Sequence, residues 1–144
     1  SQGMQDFNYY DYPTFLAPLE ILKNIEEGRG DDYIDVSDCL LQFCNHEISI
    51  DETVKYLLDI DLGSLEKVNL LIDFFKTLLK SKLADIPYSG KFKSLNDILL
   101  SPIDLSDVID ELNNLRNNIM KVSAINENHS LKYFIFKLDT LIKQ

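Results

Sequence analysis

The chain has 144 residues and a mass of 16.6 kDa, with 24 acidic residues against 14 Lys plus Arg, so its formal net charge is -10. The 45% hydrophobic fraction excludes wholesale disorder, and two cysteines exclude a disulfide-rich scaffold. A pI near 4.5 argues against a general nucleic-acid binder, because phosphate affinity needs clustered cations.

Read in chain order, the pattern is helical nearly throughout. Ser1-Gln2-Gly3 before Met4 reads as an expression-tag remnant. Residues 4–16 carry Phe7, Tyr9, Tyr10, Tyr12 and Phe15 together with Pro13, which predicts an extended aromatic arm. Residues 17–144 are expected to form one helical domain. A short helix fits about 18–27, with Pro18 in its first turn and Gly28 at its end.

Asp31 to Asp35 reads as a loop, after which Asp35 or Ser37 can cap a helix over about 36–46. Ser49-Ile50-Asp51-Glu52 matches the capping box, in which Ser and Glu side chains satisfy each other's backbone donors. The helix it starts carries Val54, Leu57 and Leu58, and Gly63 is expected to close it. Residues 64–83 make the strongest element. Leu65, Val68, Ile72, Phe75 and Leu79 follow helical spacing, and Leu71, Phe74 and Leu78 widen the stripe. So wide a stripe predicts a central helix touched on more than one side.

Ile86-Pro87-Tyr88-Ser89-Gly90 breaks the chain, and Ser94 can cap a short segment that Ser101-Pro102 stops. Over about 104–123, Leu105, Val108, Ile109, Leu112, Leu115, Ile119 and Val122 share one face. Asp107, Asp110, Glu111, Asn114, Asn117, Asn118 and Lys121 share the other. The last helix, about 129–143, turns Leu131, Phe134, Ile135, Leu138, Leu141 and Ile142 inward and Lys132, Lys137 and Lys143 outward. The expected fold is all-α: a single compact domain, an orthogonal or irregular bundle of six to seven helices. Phe134-Ile135-Phe136 is the best strand candidate, but it sits inside a helical repeat.

No constellation of catalytic residues stands out, and an enzyme is not expected. Cys39, Cys44 and His46 are close in sequence, but positions five apart on a helix lie about 140° apart around its axis. They cannot share one ion on an intact helix, so no metal and no cofactor is expected; Cys39 reads as buried and Cys44 as half exposed. Asp59-Ile60-Asp61-Leu62-Gly63 begins like a calcium loop, but its glycine comes one position early and no Glu follows at position twelve. His46 and His129 lie near helix ends, where a capping or surface role is the default. The carboxylates at 107, 110 and 111 lie on a solvated face, which offers no apolar setting to raise a general acid. Gly90-Lys91-Phe92-Lys93-Ser94 has the wrong spacing for a phosphate loop, and Arg29-Gly30-Asp31 is a bare tripeptide.

The informative signal is where the charge sits. Residues 1–72 carry a net of -11 and residues 73–144 a net of +1. Glu26, Glu27, Asp31, Asp32, Asp35 and Asp38 crowd around Arg29, while Lys76, Lys80, Lys82, Lys91 and Lys93 enclose only Asp85. The expected partner-binding residues are Glu26, Glu27, Asp31, Asp32, Tyr33, Asp35 and Asp38, with Asp51, Glu52, Asp59 and Asp61 extending the surface. Clustered carboxylates steer a cationic partner, and a tyrosine supplies anchoring area. The expected function is therefore a non-enzymatic module that neutralises a basic protein, in the manner of an immunity protein or antitoxin acting on a toxin nuclease. Two rivals stand beside it: a helical adaptor docking through an apolar groove, and a small helical enzyme or ligand-binding bundle. The plainer expectation is that the acidic half packs on the lysines at 76–93. The chain is expected to be cytoplasmic, a monomer or weak dimer, with no nucleic-acid or membrane partner.

Overall fold

The structure is a computed structural model that describes residues 30–121 and 126–142. Its described residues form five α-helices and one 3₁₀ helix with no strand: α1 (Gly30–Cys44), α2 (Ile50–Asp59), α3 (Ser64–Ala84), η1 (Gly90–Asp97), α4 (Pro102–Lys121) and α5 (Glu127–Ile142). The expected arm over 4–16 and helix over 18–27 lie outside the described residues.

The helix α3 is the axis of the bundle. Its 21 residues span about 30 Å at 1.5 Å per residue. Val68, Leu70, Leu71, Ile72, Phe74, Phe75 and Leu78 are all buried, on more than half of its circumference. The wide apolar stripe thus has its physical cause: α4 runs along one side of α3, and α1 covers another. Of the other stripe residues, Leu65, near the N-terminal end, is exposed and Leu79 is half-buried. The second layer pairs α2 with α5. Phe75 meets Phe74 edge-on at 5.2 Å between ring centroids and Phe134 of α5 at 6.0 Å, so one aromatic chain ties the two layers.

Helix ends follow local hydrogen-bonding chemistry. The capping box at Ser49 is present: Glu52 N–H donates to Ser49 Oγ and Ser49 N–H to Glu52 Oε1, each at 3.1 Å. A second one opens α4, where Asp104 N–H donates to Ser101 Oγ (3.1 Å) and Ser101 N–H to Asp104 Oδ2 (3.2 Å). Pro102 then takes the first helical position, where its missing N–H is harmless. Ser101-Pro102 therefore starts a helix as well as stopping the segment before it. In α5, Asn126 Oδ1 accepts from His129 N–H at 3.0 Å.

Three local expectations are corrected. Gly63 does not close α2; α2 ends at Asp59, and Gly63, with an ordinary φ of -67°, is the N-cap of α3. The segment expected to begin at Ser94 is a 3₁₀ helix from Gly90, held by Asn96, whose side chain exchanges two 2.9 Å hydrogen bonds with the Tyr88 backbone. Asp31 to Asp35 is not a loop: α1 already runs from Gly30. Its apolar register, Tyr33, Val36, Leu40 and Leu41, begins before the capping residues and carries the helix through the acidic stretch.

Candidate functional site

The acidic surface is built on two helices, and the residues expected to form it separate into three groups. Glu26 and Glu27 lie outside the described residues. Asp31 falls in the first turn of α1. Asp32 is half-buried, Asp35 is exposed and Asp38 is half-buried, with Asp35 and Asp38 three residues apart on one helix face. Tyr33 is corrected: it is 2% exposed and belongs to the core, because position 33 shares a face with Val36, Ser37 and Leu40. A side chain so buried offers a partner no anchoring area.

Tyr56 of α2, which charge clustering along the chain does not single out, takes that place on the surface. It is 43% exposed. Its phenol is held above its ordinary ionisation range by partial burial first, then by the nearby Asp35 carboxylate, Cys39 and the Asp38 carboxylate. The packing of α2 on α1 thus sets an exposed tyrosine beside two aspartates of the neighbouring helix. The signal was its place in the α2 register: Tyr56 falls between Glu52 and Asp59, four residues after one and three before the other, on the polar side. Asp51, Glu52, Asp59 and Asp61 are all exposed.

Part of this charge is compensated within the chain. Lys91 of η1 brings its ammonium 2.5 Å from Asp38 Oδ1, and Lys132 of α5 lies 3.4 Å from Asp51 Oδ1. Among the lysines at 76–93, Lys91 thus meets the acidic half directly, and Lys82 instead donates to the Ile98 carbonyl at 2.9 Å. Asp59 and Asp61 make no ion pair among the described residues.

The buried polar groups of α1 and α3 are structural in their surroundings. Cys39 and Cys44 are free, and Cys44, the last residue of α1, is corrected from half exposed to buried at 6%. Both thiols are pushed up to about 12, Cys39 by burial and then Asp38, Cys44 by burial and then Cys39. Thiols held protonated are poor nucleophiles and poor metal ligands. Among the described residues no three His, Cys, Asp or Glu side chains are placed to hold a metal ion. His46 is exposed in the turn that ends α1, and His129 in the first turn of α5. Lys67 is 3% exposed; its ammonium donates to the Leu58 carbonyl at 3.0 Å and lies 3.2 Å from Glu127.

Elsewhere the surface offers open depressions. One of about 220 Å³ between α4 and α5 is lined by Glu111, Asn114, Leu115, Asn118, Ser130, Tyr133 and Phe134. Tyr133 and Phe136 stand 65% and 61% exposed on the outer face of α5. No described helix is long and apolar enough to cross a membrane. No family model matches the chain, and neither a curated protein nor a solved structure matches it.

Proposed function

We propose that this chain is a non-enzymatic protein-binding module that holds a basic partner on the α1–α2 face. The observation that carries the reading is the placement of exposed Tyr56 beside Asp35 and Asp38, on a face that continues through Glu52 and Asp59. Carboxylates from two helices create a negative field broad enough to steer a cation, and the phenol ring adds an apolar contact and a surface for guanidinium stacking. Asp35, Tyr56, Asp59 and Asp61 are the core of the surface; Asp59 and Asp61 make no ion pair among the described residues, whereas Asp38 is paired with Lys91. An immunity-type inhibitor that covers the positively charged site of a toxin nuclease is the particular form we favour.

The test pairs capture with kinetics. Wild type and an Asp35→Lys, Asp59→Lys variant are used to capture proteins from native-host lysate, identified by mass spectrometry. A basic protein held by wild type and lost by the variant is then followed by stopped flow across roughly 50–500 mM salt, where screening shortens sharply. Association should slow steeply with salt, and more shallowly in the variant. Salt-independent association would overturn the reading.

A second reading, an adaptor that docks through apolar contacts, draws support from Tyr133 and Phe136, three residues apart on the exposed face of α5. Tyr133→Ala with Phe136→Ala would abolish capture under that reading and leave it intact under the first.

A further inference from the structure

The acidic face already holds a cation, and it comes from the chain itself. Lys91 reaches from η1 to α1, placing its ammonium 2.5 Å from Asp38 Oδ1. That oxygen is shielded from water yet accepts no aligned hydrogen bond, so the contact is Coulombic rather than directional. Lys91 keeps its ammonium 5.5 Å from the ring centroid of buried Phe92 and remains 47% exposed at its side chain. The segment that carries it is docked independently: Asn45 Nδ2 of the turn after α1 donates to Ser94 Oγ at 3.0 Å, and Phe92 and Leu95 are buried. The backbone of η1 therefore stays in place whether or not the lysine side chain swings away.

We propose that Lys91 is a tethered counter-ion that occupies the edge of the acidic face until a partner's cation displaces it. This rests on the reading of that face as a docking surface for a basic protein. An arriving arginine has an advantage over the resident lysine. Its planar fork gives aligned, bidentate hydrogen bonds to a carboxylate that receives none from Lys91. The internal pair thus lowers affinity for weakly cationic proteins and leaves it for partners whose arginines can replace it, a form of discrimination by competition.

The experiment uses the full chain and a fluorescein-labelled octa-arginine peptide, with an octa-lysine peptide beside it, in fluorescence anisotropy at low and moderate salt. Lys91→Gln should tighten binding of both peptides about two- to fivefold, the range set by one solvent-exposed ion pair, and more for octa-lysine than for octa-arginine. Lys91→Gln combined with Asp38→Asn should lose that gain. Lys76→Gln, which also removes one exposed positive charge but from α3, controls for net charge and should tighten binding less. Equal effects of Lys91→Gln and Lys76→Gln, or no tightening by Lys91→Gln, would overturn the proposal. The underlying reading fails separately: there, Asp35→Lys with Asp59→Lys would leave peptide affinity unchanged.

Discussion

At the scale of single residues, two helix ends depart from what their geometry favours. The α1 and α3 helices both finish in a Schellman turn. In the first, Glu47 N–H donates to Gln42 C=O (2.9 Å) and His46 N–H to Phe43 C=O (3.0 Å). In the second, Ile86 N–H donates to Ser81 C=O (3.1 Å) and Asp85 N–H to Lys82 C=O (3.4 Å). The left-handed position that glycine normally fills is held by His46 (φ 62°) and Asp85 (φ 54°). A non-glycine residue there costs roughly 1–2 kcal/mol, offset by the roughly 0.5–1 kcal/mol of extra chain entropy glycine loses on folding. His46→Gly should therefore raise stability by about 0.5–1 kcal/mol in urea denaturation, and Asp85→Gly by less, because Asp tolerates this conformation better. Destabilisation by His46→Gly would show that the imidazole has a role the exposed turn does not reveal. The buried thiols give a second expectation at this scale. Both keep their protons to about pH 12 when folded, whereas an unfolded thiol loses its proton near its ordinary 9.0. Between those values the unfolded state binds fewer protons, so stability is full below about pH 9 and falls as pH rises, by about 1.4 kcal/mol per pH unit for each thiol. Cys39→Ser with Cys44→Ser should flatten that slope above pH 9, and an unchanged slope would refute the assignment. The half-exposed reading of Cys44 failed because helical angle alone places a side chain relative to its own helix, not relative to the core cluster it joins.

At the scale of elements, Lys67 is the joint that holds three helices together. It lies on α3, caps the C-terminal end of α2 through the Leu58 carbonyl, and pairs with Glu127 in the first turn of α5. A buried charge with one partner removed is far costlier than a buried pair replaced by apolar atoms of similar volume. Glu127→Gln should thus destabilise by about 2–3 kcal/mol, leaving an ammonium with only a carbonyl and removing a favourable charge at a helix N-terminus. Lys67→Met should cost less, and adding Lys67→Met to Glu127→Gln should recover stability. Urea midpoints for the three variants decide it; a double variant weaker than Glu127→Gln alone would refute the joint. Helical register by itself marks such a residue: Lys67 sits four residues before Leu71 and seven before Phe74, on the buried stripe. The elements themselves were legible wherever a long apolar stripe met a capping pair, as in α3, α4 and the Ser49 box. The start of α1 was misread because the closely spaced Asp31, Asp32 and Asp35 look like a loop, while the apolar positions interleaved with them at helical spacing decide the matter. Tyr33 and Tyr56 exchanged roles for the same reason. Composition identifies tyrosine near acids, and only the pairing of α2 with α1 determines which ring faces water.

At the scale of the molecule, the charge split proves to be partly joined by folding. Lys91 with Asp38, Lys132 with Asp51, and Lys67 with Glu127 each bridge the two halves, so both the separate-face expectation and the mutual-neutralisation expectation describe part of the surface. The remainder is an excess of negative charge on a chain whose formal net charge is -10. The exposed pairs are worth at most about 1 kcal/mol each and weaken in salt. Repulsion among the uncompensated carboxylates also weakens in salt, and it sums over many pairs within a screening length of about 10 Å at 0.1 M. Repulsion should win, because acids outnumber bases 24 to 14 and the exposed bridges are few. Raising sodium chloride from roughly 10 to 200 mM, a range that shortens the screening length severalfold, should therefore raise Tm by a few degrees in scanning calorimetry. Asp59→Asn with Asp61→Asn should raise Tm at low salt and reduce its further rise. The Lys132→Gln variant should do the opposite, deepening the excess and steepening the dependence on salt. A Tm that falls as salt is added would mean that the bridges between halves, not the surplus carboxylates, dominate the electrostatics of the fold. The acidic face would then be a stabilising part of the bundle rather than a strained surface awaiting a cation.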